Sequence, residues 1–253
     1  MHFLLTNDYS HVSPLFHLAI EFLETRGKLT IVAPKEEQSW TGKSVTRFSN
    51  LHVDEIKIHD HTAYCVDGTP AACVNLAIHS LMDERPDLVV SGINIGLNTG
   101  ISFALSSGTL GACLEGNIAG IPGIALSQAL DAETYACWNQ YRELEDSTVA
   151  QLRHQLIPQL HQVADEILPD ASVPSESITW NVNVPVEPRA SSCLKRTRLA
   201  RTCYGAIFER VGDQFRHNLA PVQIDKGDVT DEQAVLQGHV SLTRVDITDL
   251  GQM

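Results

Sequence analysis

The sequence lacks the features that would place the chain in or across a membrane. None of its apolar runs approaches the ~20 residues that span a bilayer. The N-terminus has no basic stretch followed by a long apolar core, as a secretory signal would. We therefore predict a cytoplasmic protein without a membrane partner. The six cysteines form no CxxC pair, which argues against a zinc site, and in a reducing compartment we expect free thiols.

Basic residues are scarce as well. The 253 residues include 18 Lys and Arg against 31 Asp and Glu, a formal net charge of −13. This balance argues against a nucleic-acid polymer as the main partner, because such binding needs clustered positive charge. The one basic cluster, residues 195–201, fits a solvated face, or else a rim that steers phosphate substrates or pairs with another subunit.

Three common motifs are also missing. The chain has no GxGxxG after its first predicted strand, no GxxxxGK followed by Ser or Thr, and no GxSxG. These absences argue against a dinucleotide site, a P-loop and a nucleophile-elbow hydrolase. His59 and His61 lie in a predicted turn, where solvated side chains are a better interpretation than metal ligands.

The first two-thirds of the chain alternate between apolar strands and helical patterns. The predicted strands cover residues 2–6, 29–33, 46–58, 63–66, 87–91, 123–127, 178–184 and 239–245. The predicted helices cover residues 14–27, 70–82, 108–119 and 147–168, with a kink or a break at Pro158 and a glycine-rich loop over 92–107. This order indicates an α/β protein with a Rossmann-like, doubly wound, mostly parallel sheet.

The pattern becomes less regular after Pro185. We therefore predict two parts. Residues 1–188 form the core with the active-site loops, and residues 189–253 form a C-terminal extension that serves as an oligomerisation arm.

Polar loops follow four of the predicted strands at the edge where ligands bind in doubly wound sheets. They carry Thr6-Asn7-Asp8, Gln38-Ser39, Gly92-Ile93-Asn94 and Ser107-Gly108-Thr109. Together they offer a carboxylate, amides and hydroxyls, the oxygen ligands that suit Mg²⁺ or Mn²⁺. We therefore predict a divalent metal site at this edge.

The last of these loops begins a predicted helix, whose free N–H groups and dipole favour an anion. A phosphate would bind there while a metal held by Asp8 activates a water. Simpler interpretations remain open: an N-cap for residues 107–109, an Asx-turn for Asp8, and a loop-shaping role for Asn94 and Asn98.

Seven segments in order resemble one family. They are Thr6-Asn7-Asp8 (family TNDDG), Ala33-Pro34 with Gln38-Ser39 (AP…QSG), Gly68-Thr69-Pro70-Ala71 (GTPAD), residues 86–94 with Gly96 and Asn98 (PDLVVSGINxGxN), Ser107-Gly108-Thr109 (SGTVGAA), residues 181–185 (NVNVP), and Thr230-Asp231 with Ala234 and Gly238 (TDxxAxxxG). They span nearly the whole chain. On these residues the chain resembles the SurE, or stationary-phase survival, family as a divergent member.

The resemblance implies a metal-dependent, acid-phosphatase-like nucleotidase that hydrolyses nucleoside 5′- and 3′-monophosphates and assembles as a homodimer or homotetramer. It implies metal ligands at Asp8, Ser39 and Asn94, with Asp8 also the catalytic residue that orients the attacking water. It implies phosphate contacts from Asn98 and from residues 107–109.

The chain departs from the family pattern at several site positions. The second Asp of TNDDG is Tyr9 and its Gly is Ser10; the Gly of QSG is Trp40, the Asp of GTPAD is Ala72, and the aromatic residue before SGT is Ser106. Loss of a carboxylate predicts weaker metal binding, and Trp40 would reshape the pocket or stack on a base. The alternative function is therefore a catalytically impaired nucleotide-binding or scaffold protein.

Overall fold

The computed structural model describes residues 1–169, 172, 174–188, 193–219, 222, 223, 225 and 227–249. Its strands are β1 (His2–Thr6), β2 (Lys28–Pro34), β3 (Val53–Ile58), β4 (His61–Val66), β5 (Leu88–Ile95), β6 (Gly123–Gln128), β7 (Thr179–Val184), β8 (Leu194–Thr197), β9 (Phe208–Val211), β10 (Gln214–His217) and β11 (Val240–Val245). Its α-helices are α1 (Pro14–Glu24), α2 (Pro70–Leu76), α3 (Gly100–Ser106), α4 (Gly108–Ile118), α5 (Ala132–Tyr141), α6 (Asp146–Ile167) and α7 (Asp231–Leu236). A π-helical turn (Ala77–Leu81) continues α2, and a 3-10 turn (Ile247–Asp249) follows β11.

Nine strands form one sheet in the order β3-β4-β2-β1-β5-β6-β7-β11-β8. The strands from β4 to β7 are parallel, whereas β3 and β11 run antiparallel to β4 and β7. The predicted mostly parallel α/β fold is confirmed. The chain moves from β1 to β2 on one side and later to β5 on the other, so the crevice for ligands lies between β1 and β5.

The two faces of the sheet bury separate helical layers. Along β1, Phe3 and Leu5 join the core of α1 and α6, while Leu4 joins the core of α2 and α4. Successive side chains of a strand point to opposite faces of the sheet. A central strand that is covered on both faces therefore needs apolar residues at every position.

The first helix is shorter than predicted. Ser13 and Pro14 occupy the expected N-cap and N1 positions, but α1 ends at Glu24 and not near Gly27. Gly27 instead packs against the backbone, because a Cβ there would collide with the Met1 carbonyl oxygen. Close approach, and not helix termination, is the reason for this glycine.

The predicted loop over residues 92–107 was wrong at both ends. β5 continues to Ile95, with a register shift against β6 between Ser91 and Asn94. Gly92 adopts a φ of 125°, which a side chain would oppose, and this allows the strand to pass through a glycine. Residues 100–106 form the short helix α3 and not a loop.

Three other predictions needed correction. Residues 46–52 are irregular, and the predicted strand begins only at Val53. His61 belongs to β4, so the hairpin turn consists of His59 and Asp60. α6 is a single helix that contains Pro158, so the break that was one of the two expectations there does not occur. In addition, α5 was not predicted. Asp131 caps this helix by accepting hydrogen bonds from the N–H groups of residues 133 and 134.

The C-terminal residues complete one edge of the sheet. β11 and β8 extend it beyond β7, and β9 and β10 form a separate exposed hairpin. Within the basic cluster, Arg196 pairs with Glu166 and Arg198 with Asp225. The division at residue 188 remains a prediction, since residues 189–192 lie outside the described residues. Among the described residues, no helix is long and apolar enough to cross a membrane.

Candidate active site

A cavity of about 340 Å³ opens at the carboxyl edge of the sheet, beside the crevice between β1 and β5. The predicted site residues that line it are Tyr9, Ser39, Trp40, Asn94, Asn98 and Ser107. Asp8 and Thr109 are buried (4% and 0% exposed), and Gly108 packs against Asp8. All nine predicted residues therefore converge on one edge. Its lining contains no Lys or Arg side chain among the residues that the structure describes.

Asp8 follows β1 and joins two of the loops, because its carbonyl oxygen accepts a hydrogen bond from the Gln38 N–H at 2.7 Å. Its Oδ1 atom is buried and has no hydrogen-bond partner among the described residues. Burial, helped by the negative charge of Glu37, raises the pKa of Asp8 to about 6, and the nearby Thr109 hydroxyl and N–H oppose that rise. A buried carboxylate oxygen without a hydrogen-bond partner destabilises the folded protein unless a cation or a proton binds to it.

The N-terminus of α4 lies directly against Asp8. Ser107 caps this helix, since its hydroxyl accepts a hydrogen bond from the Leu110 N–H at 3.0 Å. Gly108 leaves no space for a side chain, because a Cβ would lie 3.1 Å from the Asp8 Cβ, the Gln38 carbonyl oxygen and the Thr41 hydroxyl. The capping interpretation is correct for Ser107, and the helix start still directs backbone N–H groups outward.

Asn94 lies near the end of β5. It donates from Nδ2 to the Gly96 carbonyl oxygen at 3.3 Å and to the Ser127 hydroxyl at 3.4 Å. Both contacts use the same nitrogen, which leaves the Oδ1 oxygen available to a ligand. This assignment of amide oxygen and nitrogen follows from the hydrogen-bond network.

Two asparagines of β7 hold Asn98 in place. The Asn98 N–H donates to Asn183 Oδ1 at 2.8 Å, and Asn181 Nδ2 donates to the Asn98 carbonyl oxygen at 2.9 Å. Asn98 Nδ2 in turn donates to the Ser127 hydroxyl at 2.9 Å. Asn181, Asn183 and Ser127 are fully buried. The sequence reading assigned no role to them, although alternate asparagines in an otherwise apolar strand were the available signal.

Asp231 anchors the next part of the same loop. Its Oδ2 accepts from the Gly100 N–H at 2.9 Å, and its Oδ1 accepts from the N–H groups of Ala200 and Glu232, each at 2.9 Å. Burial raises the pKa of Asp231, and these three N–H donors oppose the rise. The Asp231 carboxylate thus ties the Gly100 N–H at the start of α3 to the C-terminal part of the chain.

These features coincide with a known family. The family model described as "Survival protein SurE" matches residues 3–206. The chain belongs to the SurE family. Relatives named "5'-nucleotidase SurE" are similar over almost their full lengths. That of a Thermoanaerobacter species is 33% identical over 98% of this chain and 94% of its own, and that of Methanocella arvoryzae is 36% identical over 97% and 92%.

A solved SurE structure has the same fold. The crystal structure of the SurE protein from Aquifex aeolicus matches this chain with a TM-score of 0.72 and 28% sequence identity. The match covers 99% of this chain and 96% of the Aquifex chain. The sheet and its flanking helices are therefore those of a SurE protein along nearly the whole length.

Tyr9 occupies the position of the second SurE aspartate. Its ring packs edge-on against Trp138, with ring centroids 5.7 Å apart, and the phenol lies near Ser39. Burial, together with the negative charge of Asp8, raises the pKa of Tyr9 above its ordinary range. Tyr9 is therefore a neutral phenol at physiological pH, and Asp8 stands without a second carboxylate beside it in the chain.

Glu37 is the further carboxylate that acts on this region. It accepts a hydrogen bond from the Ser39 hydroxyl at 2.8 Å and pairs with Arg142 at 2.7 Å. Its negative charge raises the pKa of both Asp8 and Tyr9. Glu37 orients the Ser39 hydroxyl by accepting its hydrogen bond. The positive charge of Arg142 partly offsets the negative charge of Glu37.

At two positions, Ser10 and Trp40, the SurE motifs quoted above carry glycine and this chain does not. Both positions have left-handed backbone. Ser10 has a φ of 69° and Trp40 a φ of 64°. L-residues adopt this region at a cost of about 1–2 kcal/mol, which glycine avoids. A left-handed φ at both positions explains why the family motif carries glycine there.

We expect Ser10→Gly to stabilise the protein by about 0.5–1 kcal/mol, because relief of the strained backbone exceeds the added entropy of the unfolded chain. In a chain of this size the melting temperature should rise by roughly 1–4 °C. Ser13→Gly is the matched control, since Ser13 has a φ of −61° and gains nothing from glycine. An unchanged or lower melting temperature for Ser10→Gly would contradict the strain argument.

The donors present fit a single divalent cation. Asp8 Oδ1 is buried and unpartnered, and Ser39 and Asn94 line the cavity with neutral oxygens. Among the described residues there is no cluster of three His, Cys, Asp or Glu side chains that would hold a metal. A cation here would rely on one carboxylate, which predicts modest affinity.

Proposed function

We propose that this SurE chain is a phosphoric monoester hydrolase of nucleotidase type that acts on nucleoside 5′- and 3′-monophosphates with a divalent cation, Mg²⁺ or Mn²⁺. The observation that carries the proposal is the buried, unpartnered Asp8 oxygen beside the N-terminus of α4. The relatives named 5'-nucleotidase SurE support the same activity.

The cavity residues divide into two roles. Asp8, Ser39 and Asn94 would hold the cation, which supplies the positive charge that the cavity lining lacks. Asn98 and the turn of residues 107–109, which begins α4, would bind the phosphate oxygens, since the start of a helix favours an anion.

Asp8 would also orient the attacking water. A carboxylate that accepts a hydrogen bond from water directs the water oxygen towards phosphorus. The new bond joins this oxygen to phosphorus, and the bond from phosphorus to the sugar oxygen breaks. The products are inorganic phosphate and a nucleoside, whose oxygen takes up a proton. The buried loop keeps these groups in fixed positions while the bond breaks.

A second candidate is a catalytically impaired SurE protein that binds nucleotide or serves as a scaffold. The neutral Tyr9 in the place of the second carboxylate favours it. In this case nucleotide would bind without a metal requirement, or neither ligand would bind.

Phosphate release separates the two candidates. We expect turnover of AMP, 3′-AMP and an aryl phosphate in Mg²⁺ or Mn²⁺, and loss of turnover in EDTA. Tyr9→Asp should tighten metal binding in calorimetry by about tenfold or more, because it restores a charged ligand. Tyr9→Phe is the matched control that keeps the ring against Trp138. Full turnover in EDTA would contradict the metal assignment, and turnover that appears only in Tyr9→Asp would favour the impaired candidate.

We further propose a cytoplasmic homodimer or homotetramer assembled through residues 189–253. The hairpin of β9 and β10 supports this, since Phe208 and Phe215 are 60% and 65% exposed on it. Large apolar side chains that are exposed next to one another are typical of association surfaces. Sedimentation of the wild type should give two or four chains, and Phe208→Ser with Phe215→Ser should shift the protein towards monomer.

A further inference from the structure

The cavity is lined by two chemically different sets of side chains. The polar set includes Ser39, Asn94, Asn98 and Ser107, which the proposed metal and phosphate chemistry uses. The second set consists of Trp40, Phe103 and further apolar groups. Trp40 and Phe103 also belong to a larger group of rings, the aromatic cluster (Trp40, Phe103, Tyr204 and His217). No hydrolytic role accounts for this second set.

The rings of the cluster meet edge-on and leave part of Trp40 uncovered. The ring centroid of Trp40 lies 5.8 Å from that of Phe103, 5.4 Å from that of Tyr204 and 5.0 Å from that of His217. The interplanar angles are 66°, 58° and 65°, so none of the three stacks parallel on the indole. Because 41% of Trp40 remains exposed, it has surface for a further flat ring.

Hydrogen bonds tie the cluster to the rest of the site. The Ser106 and Tyr204 hydroxyls are 2.7 Å apart, and the Ser102 hydroxyl donates to the Thr202 carbonyl oxygen at 2.9 Å. The Gly42 N–H donates to the Ser106 carbonyl oxygen at 2.9 Å, which fixes the loop that carries Trp40 against α3. The cluster is thus a supported surface, and a rigid surface loses little entropy when a ligand binds.

We propose that the aromatic cluster is the binding site for the planar base of the nucleotide, with Trp40 as the stacking surface. Trp40 follows the predicted metal ligand Ser39 directly in the chain, and both line one cavity. A nucleotide whose phosphate contacts Asn98 and Ser107 therefore has Trp40 in the same cavity for its base. The assignment of the phosphate contacts rests on the proposed function.

The side chains around Trp40 predict which bases the site prefers. Stacking is tolerant of base identity because every base has a π-face. The rings that contact Trp40 are those of Phe103, Tyr204 and His217, and no Lys, Arg, Asp or Glu lines the cavity among the described residues. The site therefore recognises flatness and ring area, and purines bind more tightly than pyrimidines.

The experiment compares a substrate that has a base with one that lacks it. We expect Trp40→Ala to lower kcat/KM for AMP by roughly 5- to 150-fold, the range that loss of one stacked base produces. The fall for ribose 5-phosphate should be at least fivefold smaller, and Trp40→Phe should restore most of the AMP rate. Phe48→Ala is the matched control, because Phe48 is 94% exposed and lies outside both the aromatic cluster and the cavity lining.

A binding measurement keeps this test separate from the proposed function. Adenosine carries no phosphate, and its titration by calorimetry should show binding to wild type that Trp40→Ala weakens at least fivefold. Phe103→Ala provides a second variant if Trp40→Ala does not fold. Loss of turnover on every substrate in the wild type would remove the proposed function, yet adenosine binding would still support the base site. Equal losses for AMP and ribose 5-phosphate, or no adenosine binding by the wild type, would overturn it.

Discussion

Asp8→Asn should abolish metal-dependent phosphate release from AMP, with a fall in kcat on the order of 10²-fold or more, and leave the fold intact. The variant keeps the shape of the side chain but removes the one carboxylate that faces the α4 N-terminus. Phosphate release and circular dichroism on the same preparations test this expectation. Substantial turnover in Asp8→Asn would show that the reaction occurs elsewhere.

The same variant should be more stable than the wild type above pH 6 when metal is removed. Burial raises the pKa of Asp8 from 3.8 to about 6, so the folded protein holds a proton that the unfolded chain releases between these values. The wild type therefore loses stability as the pH rises from about 4 to 6, by up to about 3 kcal/mol. Asn carries no such cost.

Denaturant unfolding in EDTA at pH 4.5 and pH 8 measures this difference. The free energies of unfolding of wild type and Asp8→Asn should diverge at pH 8 and approach each other at pH 4.5. Asp131→Asn is the opposite control, because hydrogen bonds from Thr134 lower the pKa of Asp131, and its small contribution is lost as the pH falls. A less stable Asp8→Asn at pH 8 would contradict the burial argument.

Asn183→Ala should weaken phosphate binding at least tenfold and reduce the free energy of unfolding by about 1–3 kcal/mol. The substitution leaves the buried Asn98 N–H without its acceptor, and an unpaired buried donor has a cost in this range. Asn98 would then leave the position that Asn181 and Asn183 define together. Inhibition by inorganic phosphate and the KM for AMP report the loss.

Asn117→Ala separates positioning from stability. Asn117 is also a buried asparagine, and it donates to the Ile121 carbonyl oxygen at 2.9 Å and accepts from the Thr179 hydroxyl at 2.7 Å. We expect it to lose comparable stability without a change in phosphate inhibition. If the two variants have the same KM for AMP, Asn183 contributes only to folding.

Sequence patterns sufficed where the signal was local. β1 is a short apolar run and α4 begins at a Ser-Gly-Thr cap, and both were predicted nearly to the residue. The passage of β5 through Gly92 was missed because a glycine in a strand looks like a loop in sequence. α3 was missed for a similar reason, because it begins at Gly100 and is only seven residues long, too short for a clear helical repeat of apolar residues.

The contacts that support the site could not be derived from the sequence. The bond between Asn98 and Asn183 joins residues 85 positions apart, and that between Gly100 and Asp231 joins residues 131 apart. No periodicity links such pairs, and only the packing of the sheet brings them together. The resemblance to SurE predicted the ligands of the site, but the geometry was needed to identify what holds those side chains in position.

The anchor at Asp231 also sets an order of events during protein synthesis. A ribosome that adds about 5–20 residues each second needs roughly 7–26 s to make the 131 residues between Gly100 and its carboxylate acceptor. Throughout that interval the nascent chain contains the sequence of β1 and β5 but lacks the carboxylate that accepts from the Gly100 N–H. A transcript truncated just before codon 231 would therefore encode every strand up to β10 and omit this anchor of α3.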